Sequence, residues 1–206
     1  MKKRLGRVGF VARSKPLHNG GAVVLDAICS QVDHLVMGIG SSNKYNIRNP
    51  FTAEESKEMF EAYLDKRHTN YSVVFVPDFG HLPGGEDGQK WVDYIIKNYG
   101  ELDYFITSNP YVHELLEPHY EILHPSELVE PGKGLVLRAT EVRVEMARGG
   151  DWESLVPMQV RDYIKNNGLD KRFQKEFGKE TLERFLCIDY SSYENKDDEK
   201  KHTTER

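Results

Sequence analysis

Val11-Ala12-Arg13-Ser14-Lys15-Pro16-Leu17-His18-Asn19-Gly20-Gly21 closes the apolar run Leu5 to Ala12 and stands directly before a helical pattern that begins at Ala22. A buried strand, a basic turn with a His and two Gly, and a helix start together make a phosphate cradle. Free N–H groups and the positive end of the helix dipole meet at one spot, and Gly lets the backbone approach closely. Arg13, Lys15 and His18 add charge there. Many α/β proteins use the same arrangement for packing alone, so the turn by itself leaves both roles open.

Outward from this turn, strands and helices alternate. Leu5 to Ala12 reads as a strand, Gly21 to Val32 as a helix and His34 to Gly40 as a second buried strand. Thr52 with Glu55 three positions later forms a capping box, and Met59, Phe60, Tyr63 and Leu64 follow at helical spacing. Tyr71 to Val76 is a third strand, followed by a polar, Gly-rich loop from Asp78 to Gln89 and a helix from Lys90 to Asn98. A strand from Tyr104 to Thr107, a helix opened by Asn109-Pro110 and a short last strand from His119 to Leu123 come next. Helices are expected from about Thr140 to Arg148, Val156 to Asn166 and Asp170 to Leu186. The pattern implies an α/β fold: a mostly parallel sheet with helices on both faces and ligands beyond the C-terminal strand ends.

Composition limits the functional classes. The chain has 206 residues, 38% hydrophobic and 30% charged, enough for one ordinary core. The expected division is a core over residues 1–150, C-terminal helices packed on it over 151–190 and a flexible polar tail over 191–206, where apolar residues nearly vanish. No segment reaches the run of about eighteen apolar residues that a membrane span needs, and the Lys2-Lys3-Arg4 start leads into a strand rather than a secretion signal. The expectation is a cytoplasmic protein with no membrane partner. A net charge of -5 argues against a nucleic-acid surface. Cys29 and Cys187 fit neither a metal pair nor a disulfide framework, and no His lies at a metal-ligand spacing.

Three further segments carry a resemblance. Gly38-Ile39-Gly40-Ser41-Ser42 leads into Asn46-Ile47-Arg48-Asn49-Pro50-Phe51-Thr52-Ala53-Glu54-Glu55; then come Thr107-Ser108-Asn109-Pro110 and Arg138-Ala139-Thr140-Glu141-Val142-Arg143. In this order, and with Gly149-Gly150-Asp151-Trp152 after them, they resemble the motifs of the HxGH nucleotidyltransferases, specifically the archaeal-type nicotinamide mononucleotide (NMN) adenylyltransferases. The resemblance spans roughly residues 5 to 165, and Arg48 to Ala53 is its most specific part. It departs from the pattern at Gly21, where the family carries its second His, at Ala12 for Gly, at Lys15 for Gln and at Leu137 to Thr140.

The resemblance implies a Rossmann-like, nucleotidyltransferase-type fold, transfer of AMP from ATP to NMN, Mg2+ as cofactor and a homo-oligomer. In-line adenylyl transfer needs no protein nucleophile, only positioning and neutralisation of charge, which suits basic residues and amide donors. The implied catalytic residues are His18, Arg13 and Arg48. Implied ATP contacts are Val11, Ala12, Lys15, Gly20, Asn109, Arg138, Thr140 and Arg143. On the acceptor side stand Ser41, Asp78 and Trp91, with no protein metal ligand. Trp91 has two readings, stacking on a cationic pyridine ring or packing between helix and sheet. Asp78 accepts from the acceptor or caps a turn, and His81 is a substrate contact or a solvated loop residue. Loss of the second His leaves three functions open: NMN transfer with Lys15 or Arg138 compensating, transfer to another acceptor, or a nucleotide-binding sensor without catalysis.

Overall fold

The computed structural model describes residues 4–80, 87–133 and 137–186. Residues 81–86 of the Gly-rich loop, His81 among them, Cys187 and the expected tail lie outside the described residues. Five strands form one parallel sheet: β1 (Leu5–Ala12), β2 (Val32–Gly40), β3 (Tyr71–Val76), β4 (Tyr104–Ile106) and β5 (Ile122–Leu123), in the order β3-β2-β1-β4-β5. The chain builds outward from β1 to β3 and then crosses to β4. The order therefore reverses at β1, and a crevice opens beyond its C-terminal end.

Alternation along the strands divides the core between two faces. In β2, Leu35, Met37 and Ile39 enter the larger cluster with α1 (Asn19–Gln31), α2 (Ala53–Leu64), α5 (Ala139–Arg148) and α6 (Met158–Asn166). Val36 points the other way, into a smaller cluster with Val92, Ile95 and Tyr99 of α3 (Asp87–Tyr99) and Leu116 of α4 (Pro110–Leu116). Apolar residues on both faces are what a covered parallel sheet requires. Val156, Val160, Ile164, Leu169 and Phe173 join the larger cluster, so the C-terminal helices share the core of the sheet. Trp152 is buried there, as is Cys29.

Several bounds differ from expectation: α1 starts at Asn19 and gives way to β2 already at Val32, and β4 ends at Ile106. The α3 helix begins by Asp87, not Lys90. The last strand is only Ile122–Leu123, because the N–H groups of His119 and Tyr120 both donate to the Leu116 carbonyl and close the turn that follows α4. The helix expected from Asp170 to Leu186 is a composite: α7 (Leu169–Phe173), a wide-turn segment Gln174–Gly178, α8 (Lys179–Thr181) and a second wide-turn segment Leu182–Leu186. No helix among the described residues is long and apolar enough to cross a membrane.

Candidate active site

The turn after β1 brings its residues to the start of α1. His18 is the N-cap of α1, and its Nδ1 accepts from the Gly21 N–H at 3.1 Å. Burial, reinforced by Arg143, lowers its pKa to about 4. The ring is therefore neutral near pH 7, and because Nδ1 is an acceptor its proton sits on Nε2, a donor free for an anion. The first N–H groups of α1 have no partner within the helix, as at any helix start.

Two buried cations tie this turn to distant segments. Lys15 is 1% exposed, donates through Nζ to the Ser41 carbonyl at 3.2 Å and is held down to a pKa of about 8 by burial and by Arg13. Arg143, 5% exposed on α5, donates through Nη1 to the Lys15 carbonyl at 2.8 Å and through Nη2 to the Thr140 hydroxyl at 3.0 Å. Its Nε is buried without a partner. Burial, Arg13 and Arg48 together pull its pKa down to about 10. Burial first, and then like charge, disfavours the charged forms of Lys15, His18 and Arg143, with Arg13 acting on Lys15 and Arg143, Arg143 on His18 and Arg48 on Arg143, an arrangement suited to an anion.

Backbone features set the second wall. At Gly40 a Cβ would lie 3.0 Å from Cγ of Arg13, whose stem crosses the end of β2, so a larger residue would crowd Arg13. Ser41 holds a left-handed φ of 51°, an unusual conformation for a residue with a side chain. Asn43 clamps Asp78, its Oδ1 accepting from the Asp78 N–H at 2.8 Å and its Nδ2 donating to the Asp78 carbonyl at 2.9 Å. Asp78 in turn accepts from the Gly80 N–H at 2.9 Å and, at 3.4 Å, from the Ser41 hydroxyl.

A cavity of about 350 Å3 lies beside the basic cluster, bordered by Val11, Arg13, Ser41, Asp78, Trp91 and Asn109. Residues expected on the ATP side (Val11, Arg13, Asn109) thus share a cavity with those expected on the acceptor side (Ser41, Asp78, Trp91). The reason is geometric: the end of the central strand faces both halves of the crevice. Trp91 lines this cavity and also packs against the smaller core cluster. Asn109 caps α4 through its side chain, which accepts from the Tyr111 N–H at 3.0 Å. Thr107, from the quoted Thr107–Pro110 motif, also lines the cavity, as do Phe79 and Tyr111, which were not singled out from sequence although each adjoins a residue or motif that was.

The remaining expected residues lie outside this cavity. Ala12 and Gly21 border a smaller one, of about 170 Å3, with Ser14, Leu17, Phe60 and Ser108. Gly20 is buried in the first turn of α1. Arg48 is exposed on the loop before α2, where the Asn46 Oδ1 accepts from its N–H at 3.0 Å. Arg138 is the exposed N-cap of α5 and makes no side-chain cap bond. Among the described residues no group of three His, Cys, Asp or Glu is placed to hold a metal ion.

The buried neutral His18 has a consequence for stability. Between pH 6.5 and about 4 the unfolded chain takes up a proton that folded His18 refuses, so stability falls as the pH drops through that window. His18→Asn keeps an N-cap acceptor but does not titrate. On lowering the pH from 6.5 to 4.5, the parent should lose about 2 kcal/mol relative to His18→Asn in denaturant unfolding, and an equal response of the two proteins would refute a buried neutral imidazole.

No family model matches the chain. Two curated relatives named nicotinamide-nucleotide adenylyltransferase are each 35% identical: that of Thermococcus onnurineus over 159 residues, covering 76% of this chain and 80% of the relative, and that of Pyrococcus horikoshii over 164 residues, covering 76% and 81%. Among solved structures, a bifunctional NMN adenylyltransferase/ADP ribose pyrophosphatase of Francisella tularensis, complexed with AMP and Mn ion, superposes with a TM-score of 0.65 at 18% identity. The match covers 92% of this chain but only 55% of that protein's length, and at this identity it speaks for the fold. With the motifs in order on a reversing parallel sheet, and relatives at this identity over most of both chains, the protein belongs to the archaeal nicotinamide-nucleotide adenylyltransferase family.

Proposed function

We propose that this protein transfers the adenylyl group of ATP to NMN, forming NAD and pyrophosphate. The observation that supports it most is the gathering of Arg13, Lys15, His18 and Arg143 around the turn before α1, next to a cavity with an aromatic wall. In the reaction a 5′-phosphate oxygen of NMN attacks the α-phosphorus of ATP in line, and the bond to the β-phosphate oxygen breaks. His18 donates from Nε2 to the charge that grows at the α-phosphate, a donor already in place before the reaction. Thr140 and Arg143 hold the β- and γ-phosphates at the start of α5, and the orphaned Nε of Arg143 is suited to an added anion. Arg13 and Arg48 neutralise the triphosphate from either side.

Mg2+ is part of this reading: it would enter with ATP, whose phosphates Thr140 and Arg143 hold, and would supply positive charge toward the leaving pyrophosphate. The same reading places the protein in the cytoplasm as an assembly of identical chains in pyridine-nucleotide biosynthesis. Gly21, in place of an imidazole, is the one observation that favours a catalytically silent nucleotide sensor.

Trp91 tests the acceptor side. Stacking of an indole on the cationic nicotinamide ring contributes about 1 to 2 kcal/mol, so Trp91→Ala should raise KM for NMN roughly 10-fold while leaving that for ATP nearly unchanged. NMN should also quench the tryptophan fluorescence of the parent. Equal changes in both KM values would remove Trp91 from the acceptor site. The overall reading is tested by incubating the protein with ATP, Mg2+ and a panel of mononucleotides and assaying dinucleotide and pyrophosphate.

A further inference from the structure

Arg48 stands on a long connection between β2 and α2 that contains no regular element beyond one bridge, Asn46 to Asn49. The bonds within this loop run from Asn46 Oδ1 to the N–H groups of Arg48 and Asn49, at 3.0 and 3.1 Å. They fix Arg48 relative to Asn46, while the start of the connection is tied to the sheet by the Ser42 N–H, which donates to the Val76 carbonyl at 3.0 Å, and Ile47 and Phe51 on either side of Arg48 are buried. Arg48 also faces like charges, since it lowers the pKa of Arg143. Repulsion of that kind drives an exposed loop cation away from the place where an anion will bind, unless the loop is held from outside.

A second hold, on the part of the loop around Arg48, comes from four residues of the C-terminal helical run, Arg172, Phe173, Glu176 and Phe177. Arg172 donates through Nη2 to the Pro50 carbonyl at 3.2 Å and to Glu55 Oε2 at 2.7 Å, while its Nη1 donates to Glu55 Oε1. Glu55 passes the restraint back to the loop, because its Oε2 accepts from the Thr52 N–H at 2.9 Å. Phe51 stacks on Phe173 with ring centroids 6.4 Å apart. On the other flank, the Tyr45 hydroxyl donates to Glu176 and the Tyr45 ring meets Phe177 edge-on at 5.2 Å. The Arg172 guanidinium lies 5.7 Å from the same ring. The residues on both sides of Arg48 are therefore anchored to one patch of the C-terminal run. The Arg172–Glu55 pair is largely sheltered, with side chains 29% and 18% exposed, so it is less screened than a surface pair.

We propose that Arg172 is a positioning residue for adenylyl transfer, acting through Arg48: with Tyr45 and Glu176 it holds the Arg48 loop against the repulsion of the basic cluster. This rests on the adenylyl-transfer reading for its kinetic consequence. A brace that serves folding alone has the same contacts, and a double-mutant cycle separates the two. Arg172→Ala should lower kcat by about 10- to 100-fold in the parent, the scale of loss for a displaced transition-state contact. In an Arg48→Ala background it should cause little further loss. The fall in Tm should be the same in both backgrounds.

Tyr45→Phe, which deletes one hydroxyl from a half-exposed residue, provides the same cycle should Arg172→Ala fold poorly. The cycle is also read as the Kd for ATP by titration calorimetry, which requires no turnover. A parent that makes no dinucleotide therefore counts against the adenylyl-transfer reading, while the ATP cycle still decides the positioning claim. Coupling of Arg172 or Tyr45 to Arg48 in kcat or in ATP affinity supports it. Losses equal in both backgrounds, or no loss beyond the change in Tm, overturn it.

Discussion

Replacing His18 with alanine is expected to lower adenylyl transfer by roughly 100-fold or more, the scale lost when one preorganised transition-state donor is removed. The expectation follows from how the ring is held. Nδ1 is committed to the Gly21 N–H, burial keeps the ring neutral down to a pKa of about 4, and so Nε2 remains a donor throughout the working pH range. The substitution also deletes the cap of α1, at a cost of about 1 kcal/mol, so the measurement pairs kcat under saturating ATP and NMN with Tm. A large fall in kcat with a modest fall in Tm is the expected result. An unchanged kcat would place the chemistry elsewhere in the crevice.

The second large effect is a gain. Gly21→His should raise the rate, by up to about 10- to 100-fold if a full transition-state hydrogen bond is added. A Cβ at position 21 would meet Leu17 Cδ1 at 3.2 Å, Ser14 Oγ at 3.4 Å and His18 Cε1 at 3.7 Å. The new side chain would thus leave the helix beside the His18 ring, at the edge of the smaller cavity, and Leu17 would have to yield by a few tenths of an ångström (roughly). Lys15 is tied to the Ser41 carbonyl on the β2 side, which is why the gain should appear in the parent itself. A gain confined to a Lys15→Ala or Arg138→Ala background would instead assign the vacant role to that residue, since groups serving one charge are not additive. No gain in any background would show that this site works without a second imidazole.

Local patterns were the legible part of this chain. The Thr52–Glu55 capping box is formed in both directions, and β1 and β3 run over the residues that their apolar patterns mark. Alternation in β2 sorts its side chains between two cores, as a parallel sheet buried on both faces demands. Boundaries governed by competition for a single carbonyl were less legible, as at Leu116, where two N–H groups close the turn that follows α4 at the expense of β5. The wide turns of the C-terminal run also have no simple period for a sequence pattern to reveal.

For the site, motif residues could be named from sequence, but their division of labour could not. Arg143 was expected on the phosphates beside Thr140. The structure adds its bond to the Lys15 carbonyl, across 128 positions in sequence, which makes it a clamp on the first turn as well. Arg172 lies 117 positions from Glu55 and belongs to no motif, so its grip on the Arg48 loop exists only in three dimensions. Similarly, the shared cavity of Arg13, Asn109 and Trp91 follows from the reversal of strand order at β1, which places three separate loops at one strand end.

The central claim is that the basic cluster and the adjoining aromatic cavity carry out one reaction on two nucleotides. Purified protein incubated with ATP, Mg2+ and NMN tests it most directly, with NAD and pyrophosphate quantified over time. Formation of the two products in equal amounts, dependent on all three components, is the result predicted here. Tight binding of ATP with no dinucleotide formed from NMN or from any other mononucleotide would contradict it.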